Sequence, residues 1–97
     1  MSAPSGGAVV TGGASGIGEA VCRRLAADGV AVAVLDRNAD GAARVAQDIG
    51  GLALVADVGD SVALEAALEQ ATAELGGLRL LVNNAGVGNL KPLEAYT

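Results

Sequence analysis

The sequence predicts an α/β fold on a doubly wound parallel sheet, and three observations carry that expectation. Short unbroken apolar runs alternate with segments whose apolar residues recur at helical spacing, the pattern of strands covered on both faces by crossover helices. Glycine, Asn or Asp stands at most of the junctions, where helices start and stop. A glycine-rich turn joins the first apolar run to the first helical segment, which is where such a sheet binds an anion. At 97 residues, 52% hydrophobic and 18% charged, the chain has the composition of one small domain with a single core.

The first strand is Ala8-Val9-Val10, ending at Thr11. A helix is expected over about 16–28, where Ile17, Val21 and Leu25 fall four apart on one face and Gly29 can end it. The second strand, 30–35, is apolar throughout, so it belongs in the sheet interior, because a strand with one wet face would alternate. Asn38 can cap a second helix with the stripe Ala42, Val45, Ala46 and Ile49, stopped by Gly50-Gly51. A third strand at 52–56 is followed by a helix capped by Asp60 or Ser61, in which Leu64, Leu68, Ala71 and Leu75 recur at spacings of four, three and four before Gly76-Gly77. The fourth strand, 78–82, leads into Asn83-Asn84-Ala85-Gly86, and the remainder to Thr97 holds Pro92 and shows no period. Strict alternation implies right-handed crossovers and a parallel sheet, and the doubly wound rule, where it applies, gives strand order 3-2-1-4. The crevice then lies between strands one and four, where the turns that follow them meet.

Composition excludes several functions. Six basic residues against eleven acidic ones give a net charge of -5 with no basic cluster, which disfavours nucleic acid and anionic membranes as partners. With Cys22 the only cysteine and no histidine, no internal disulfide forms and no metal site is expected. Cys22 itself, among Ala20, Val21 and Leu25, reads as a small buried hydrophobe. The first residues carry neither positive charge nor a signal-length apolar core, and no later run approaches a membrane span, so a soluble, cytoplasmic protein is expected.

The chemistry concentrates in four short motifs. In Thr11-Gly12-Gly13-Ala14-Ser15-Gly16-Ile17-Gly18, Gly12 permits a tight exit from the strand, Gly16 lets backbone approach a phosphate, and Gly18 allows helix and strand to pack closely. The helix that follows turns its free N–H groups and positive dipole end to the anion. No Gly-Lys-Ser or Gly-Lys-Thr follows, so this is not a P-loop. Asp36 lies eighteen residues beyond Gly18, near the spacing at which a carboxylate accepts from an adenosine ribose. That favours NAD over NADP, since a 2′-phosphate would face Asp36 and Ser15 offers no compensating cation; Arg37 beside it keeps NADP open. Asp57-Val58 follows the third strand, where the Asp can accept from an adenine amino group and the Val pack on its ring, or the Asp can simply form a turn. Asn83-Asn84-Ala85-Gly86 offers amides that bridge strand ends and small residues that admit a ligand, or again a structural turn.

Taken together, Thr-Gly-x-x-x-Gly-Ile-Gly at 11–18, the acid at Asp36, Asp57-Val58 and Asn-Asn-Ala-Gly at 83–86 resemble the N-terminal half of a short-chain dehydrogenase/reductase, with a Rossmann-like sheet truncated after about four strands. The resemblance covers nearly the whole chain, from Val9 onward, so 1–97 is read as a single partial NAD(P)-binding domain. It implies that Gly12, Ser15, Gly16, Ile17 and Gly18 line the pyrophosphate and nicotinamide side, that Asp36 holds the adenosine ribose, with Arg37 beside it counted among the cofactor-binding residues from its position, and that Asp57 and Val58 meet adenine. Asn84, Ala85 and Gly86 would flank the other ribose, with Asn84 also tying the sheet together. Full-length members transfer hydride between a nicotinamide cofactor and an alcohol or ketone.

The family's catalytic Ser, Tyr-x-x-x-Lys pair and helix Asn are not found here, so no catalytic residue is assigned. Tyr96 does not qualify, because Lys91 precedes it by five residues and Pro92 intervenes. Two other readings compete: a non-catalytic nucleotide-binding or interaction module, and a methyltransferase-like domain, whose usual Gly-x-Gly-x-Gly spacing is absent. A sheet ending at the fourth strand would leave an open edge, a surface for self-association and a source of marginal stability.

Overall fold

A computed structural model describes residues 6–84. The elements run β1 (Gly7–Thr11), α1 (Gly16–Ala27), β2 (Val32–Asp36), α2 (Ala39–Ile49), β3 (Leu52–Val55), α3 (Ser61–Leu75) and β4 (Leu78–Asn83). The four strands make one sheet in the order β3-β2-β1-β4, and all three pairings are parallel. That is the architecture the alternating pattern predicts, with β1 between β2 and β4.

Each strand interior feeds two cores, which is why its apolar run is unbroken. Val10, Val32 and Val34 face one side and pack with Cys22 of α1 and Ala42, Val45 and Ala46 of α2. Val9, Ala33 and Leu35 face the other side and pack with Leu54, Ala67 and Ala71. Alternate residues of a strand point to opposite faces, so a sheet covered twice must be apolar at consecutive positions.

Local chemistry sets the helix ends. Asn38 Oδ1 accepts from the Gly41 N–H at 3.2 Å, and Asp60 Oδ1 accepts from Val62 and Ala63 N–H, both at 3.1 Å, so Asp60 rather than Ser61 is the cap. Both helices end on a left-handed glycine, Gly50 (φ 69°) and Gly76 (φ 73°), a conformation that costs other residues strain.

Strand boundaries differ from the expectation by one or two residues. Val30 donates to Leu25 O at 3.0 Å and so belongs to the turn closing α1, which delays β2 to Val32. Asp36 completes β2 because it pairs with Val55, and Asn83 completes β4 by pairing with Thr11. Ile17 does not join the buried stripe of α1. It is 73% exposed and lines the crevice at the carboxyl ends of the strands, while Gly18 and Cys22 are the residues α1 buries. No helix among the described residues is long and apolar enough to cross a membrane.

Thr11 is buried, and its hydroxyl joins β1 to β4. Oγ1 accepts from the Asn84 N–H at 2.9 Å and can donate to Val82 O at 3.3 Å or Asn83 Oδ1 at 3.2 Å. Thr11→Val keeps the shape and removes these bonds, so urea unfolding should show a loss of about 1–3 kcal/mol, the cost of leaving buried polar groups unpaired.

Burial pushes the Cys22 thiol from 9.0 up to about 11. The folded thiol holds its proton where the unfolded one has lost it, so stability is intact below about pH 9 and falls as pH rises toward about 11. Urea titrations across that window should show the decline in the wild-type chain, and Cys22→Ala should remove this component of the slope.

Candidate functional site

The carboxyl ends of the strands open onto a crevice of about 510 Å³, within the size range of small-molecule sites. Four segments line it: Gly12, Ser15, Gly16 and Ile17 after β1; Leu35, Asp36 and Arg37 at β2; Ala56, Asp57 and Val58 after β3; and Asn84 after β4. Residues distant in sequence meet here because parallel strands all end at one rim.

The turn after β1 is shaped by its glycines. Gly12 and Gly16 have φ of 65° and 49°, values that favour residues without a Cβ. Gly18 sits against the Gly12 carbonyl, and a Cβ there would also come within 2.7 Å of Asn84 Nδ2, so helix, turn and β4 close on one another at this point. Asn84 Nδ2 reaches the Gly12 carbonyl at 3.5 Å, a long contact that still ties the two turns together. Ser15 stands at the N-cap with extended backbone (φ -142°) and makes no side-chain cap bond. The first N–H groups of α1 have no intrahelical acceptors, and with the dipole they make this end of the crevice attractive to an anion.

Asp36 is half-buried. Its Oδ2 accepts from the Ala14 N–H at 3.0 Å and its Oδ1 from the Asn38 N–H at 3.0 Å. Each carboxylate oxygen has two lone pairs, so both retain capacity for a further donor. Arg37, next along the rim, is exposed. Asp57 Oδ1 accepts from the Gly59 N–H at 2.8 Å, which forms the turn expected of it, and the residue also lines the crevice. Val58 also packs against the core on the α3 side. Ala85 and Gly86 lie outside the described residues, as do Lys91, Pro92 and Tyr96.

Sequence reasoning passed over Ala14, Gly41 and Arg44. A Cβ at Gly41 of α2 would come 2.8 Å from the Ala14 Cβ, and Arg44 Nη2 lies 3.5 Å from the Ala14 carbonyl. Small residues pressed together leave no spacing signature, so no sequence signal pointed to them. Arg44 also lies 3.4 Å from Glu19, while Arg23 bridges Glu19 at 2.8 Å and Asp48 at 3.0 Å. Hydrogen bonds from Arg23 and Arg44 hold the Glu19 carboxyl below its ordinary range. These pairs are largely exposed, so they fasten α1 to α2 weakly.

The residues fit a dinucleotide's adenosine diphosphate end: a left-handed glycine turn, a helix N-terminus and a carboxylate with spare acceptor capacity share one crevice. Comparison with known proteins agrees. The short chain dehydrogenase family model matches residues 7–97. D-threitol dehydrogenase of Mycolicibacterium smegmatis is 41% identical over 92 residues, which are 90% of this chain and 35% of that protein. L-2,3-butanediol dehydrogenase of Corynebacterium glutamicum is 42% identical over 97 residues, covering 93% of this chain and 38% of the relative. Among solved structures, a 3-ketoacyl-(acyl-carrier-protein) reductase from Brucella melitensis complexed with NADH superposes with a TM-score of 0.80 at 41% identity, over 84% of this chain and 34% of that one. The chain thus spans about a third of the length of these proteins. By its glycine turn, its sheet order and the match over 7–97, the chain belongs to the short chain dehydrogenase family.

Proposed function

We propose that this chain is the NAD-binding portion of an oxidoreductase that moves hydride between the cofactor and an alcohol or ketone. The observation that carries the reading is the meeting of the 12–18 glycine turn and Asp36 in one crevice. A nicotinamide ring, when bound, supplies the hydride chemistry. This chain binds and orients. The backbone of Gly12, Ser15, Gly16, Ile17 and Gly18 holds the pyrophosphate, with the α1 N-terminus offsetting its charge. Asp36 accepts from the adenosine ribose hydroxyls and repels a 2′-phosphate, which makes NAD the preferred cofactor over NADP. Arg37, which also lines the crevice, moderates that preference without reversing it. Asp57 accepts from the adenine amino group, Val58 packs on the ring, and Asn84 with Ala85 and Gly86 flanks the second ribose.

Support for the reaction class comes from two relatives named as dehydrogenases of threitol and butanediol, and for a nicotinamide cofactor from neighbouring reductase structures that hold NADH or NADPH; the preference for NAD rests on Asp36. We assign no proton-transfer group to these 97 residues. Calorimetric titration of the chain should show NADH binding at least about 10-fold tighter than NADPH, about 1.4 kcal/mol or more, and no binding of S-adenosylmethionine. Tighter NADPH binding overturns the cofactor choice, and binding of S-adenosylmethionine in place of NADH overturns the reading.

A further inference from the structure

Asp36 faces two ways. Toward the crevice it offers acceptors to a ligand; toward the protein it holds the backbone of the turn that the ligand's phosphates would touch. The Ala14 N–H donates to Asp36 Oδ2 at 3.0 Å, and the Asn38 N–H donates to Oδ1 at the same distance. One carboxylate thus joins the turn after β1 to the turn after β2.

The Ala14 peptide is held on other sides as well. Ala14 is 7% exposed, and its methyl group occupies the space left by the missing side chain of Gly41, where a Cβ would come within 2.8 Å of it. The preceding residue is fixed too: the Gly13 N–H donates to Leu35 O at 3.2 Å, and a Cβ on Gly13 would come within 2.8 Å of Val34 Cγ1 and 3.1 Å of Cys22 Sγ. Beyond this held pair Gly16 stands at positive φ with nothing within 4 Å of where its Cβ would stand. A turn this rich in glycine loses much conformational entropy when a ligand orders it. Holding Ala14 beforehand removes part of that cost. A hydrogen bond to a carboxylate suits the task, since it is about twice as strong as a neutral one.

We propose that Asp36 is a positioning residue for the phosphate-binding turn: it fixes the Ala14 peptide, with Gly41 as the seat for the Ala14 methyl, independently of any bond to ribose. The proposal rests on the dinucleotide reading for its ligand but not for the brace itself. It separates two effects of the carboxylate. Selection between NAD and NADP arises from the face toward the ribose, whereas affinity for the diphosphate arises from the face toward Ala14.

The test uses the full ¹⁵N-labelled chain and 2′,3′-dideoxy-ADP, which keeps the diphosphate and lacks the ribose hydroxyls that Asp36 would bind. In Asp36→Ala, amide exchange at Ala14 should accelerate at least about 10-fold while the Val9 amide of central β1 stays protected, and dideoxy-ADP should bind at least about 3-fold more weakly. Gly41→Ala, whose Cβ would meet the Ala14 methyl at 2.8 Å and the Asn38 side chain at 2.7 Å while the carboxylate is retained, should weaken dideoxy-ADP similarly and keeps the ligand test available should Asp36→Ala not fold. Unchanged Ala14 exchange, or unchanged dideoxy-ADP affinity in a folded variant, overturns the proposal. Absence of NADH binding by the wild-type chain instead overturns the dinucleotide reading, and the exchange measurement then decides the brace alone.

Discussion

Everything in the crevice depends on the central place of β1. A parallel strand paired on both sides has its carboxyl end flanked by the ends of its neighbours, and here those neighbours are β2 and β4. The turn leaving β1 is therefore within reach of Asp36 at the end of β2 and Asn84 just past β4, and both make hydrogen bonds to it. Thr11 secures the arrangement at the last residue of β1, where its buried hydroxyl bonds to the backbone of β4's end. Had strand order put β1 at an edge, the same residues would not meet.

Packing and polarity divide the work. The two cores are made of small and branched aliphatics, with Val9, Val10, Val34 and Leu35 fully buried, and they hold the sheet rigid without contributing a polar group to the crevice. The polar contacts that shape the rim are mostly to backbone N–H or C=O. Such bonds depend on where the chain runs more than on side-chain identity, which is how a glycine-rich segment acquires a definite form.

The legible part of the fold was the part with periodicity. Unbroken runs such as 30–35 announced interior strands, and Asn38, Gly50 and Gly76 announced helix ends through their own chemistry. Strand order came from the doubly wound rule, since alternation of strand and helix alone fits more than one order. Ile17 was misplaced on the buried stripe because helical spacing says which residues share a face but not where the layer below stops. Asp57 stayed open between a turn and a ligand contact in the sequence because an Asp after a strand suits either; its carboxylate closes the turn with Gly59 at the crevice rim. The contact of Ala14 with Gly41 and Asp36 was invisible, since the Asp36 carboxylate meets a backbone N–H and the Ala14 methyl meets a missing side chain, pairings that leave no pattern in the order of residues.

The glycines that end α2 and α3 have a further meaning. Gly50 and Gly76 lie in turns leading to the amino ends of β3 and β4, and a Cβ at either would meet open space; Gly29, at the same rim, is similar. That rim is opposite the crevice, and only backbone conformation constrains these three positions. A side chain introduced there would project into solvent a strand length from the ligand pocket, and its cost would be confined to the left-handed backbone that these glycines adopt.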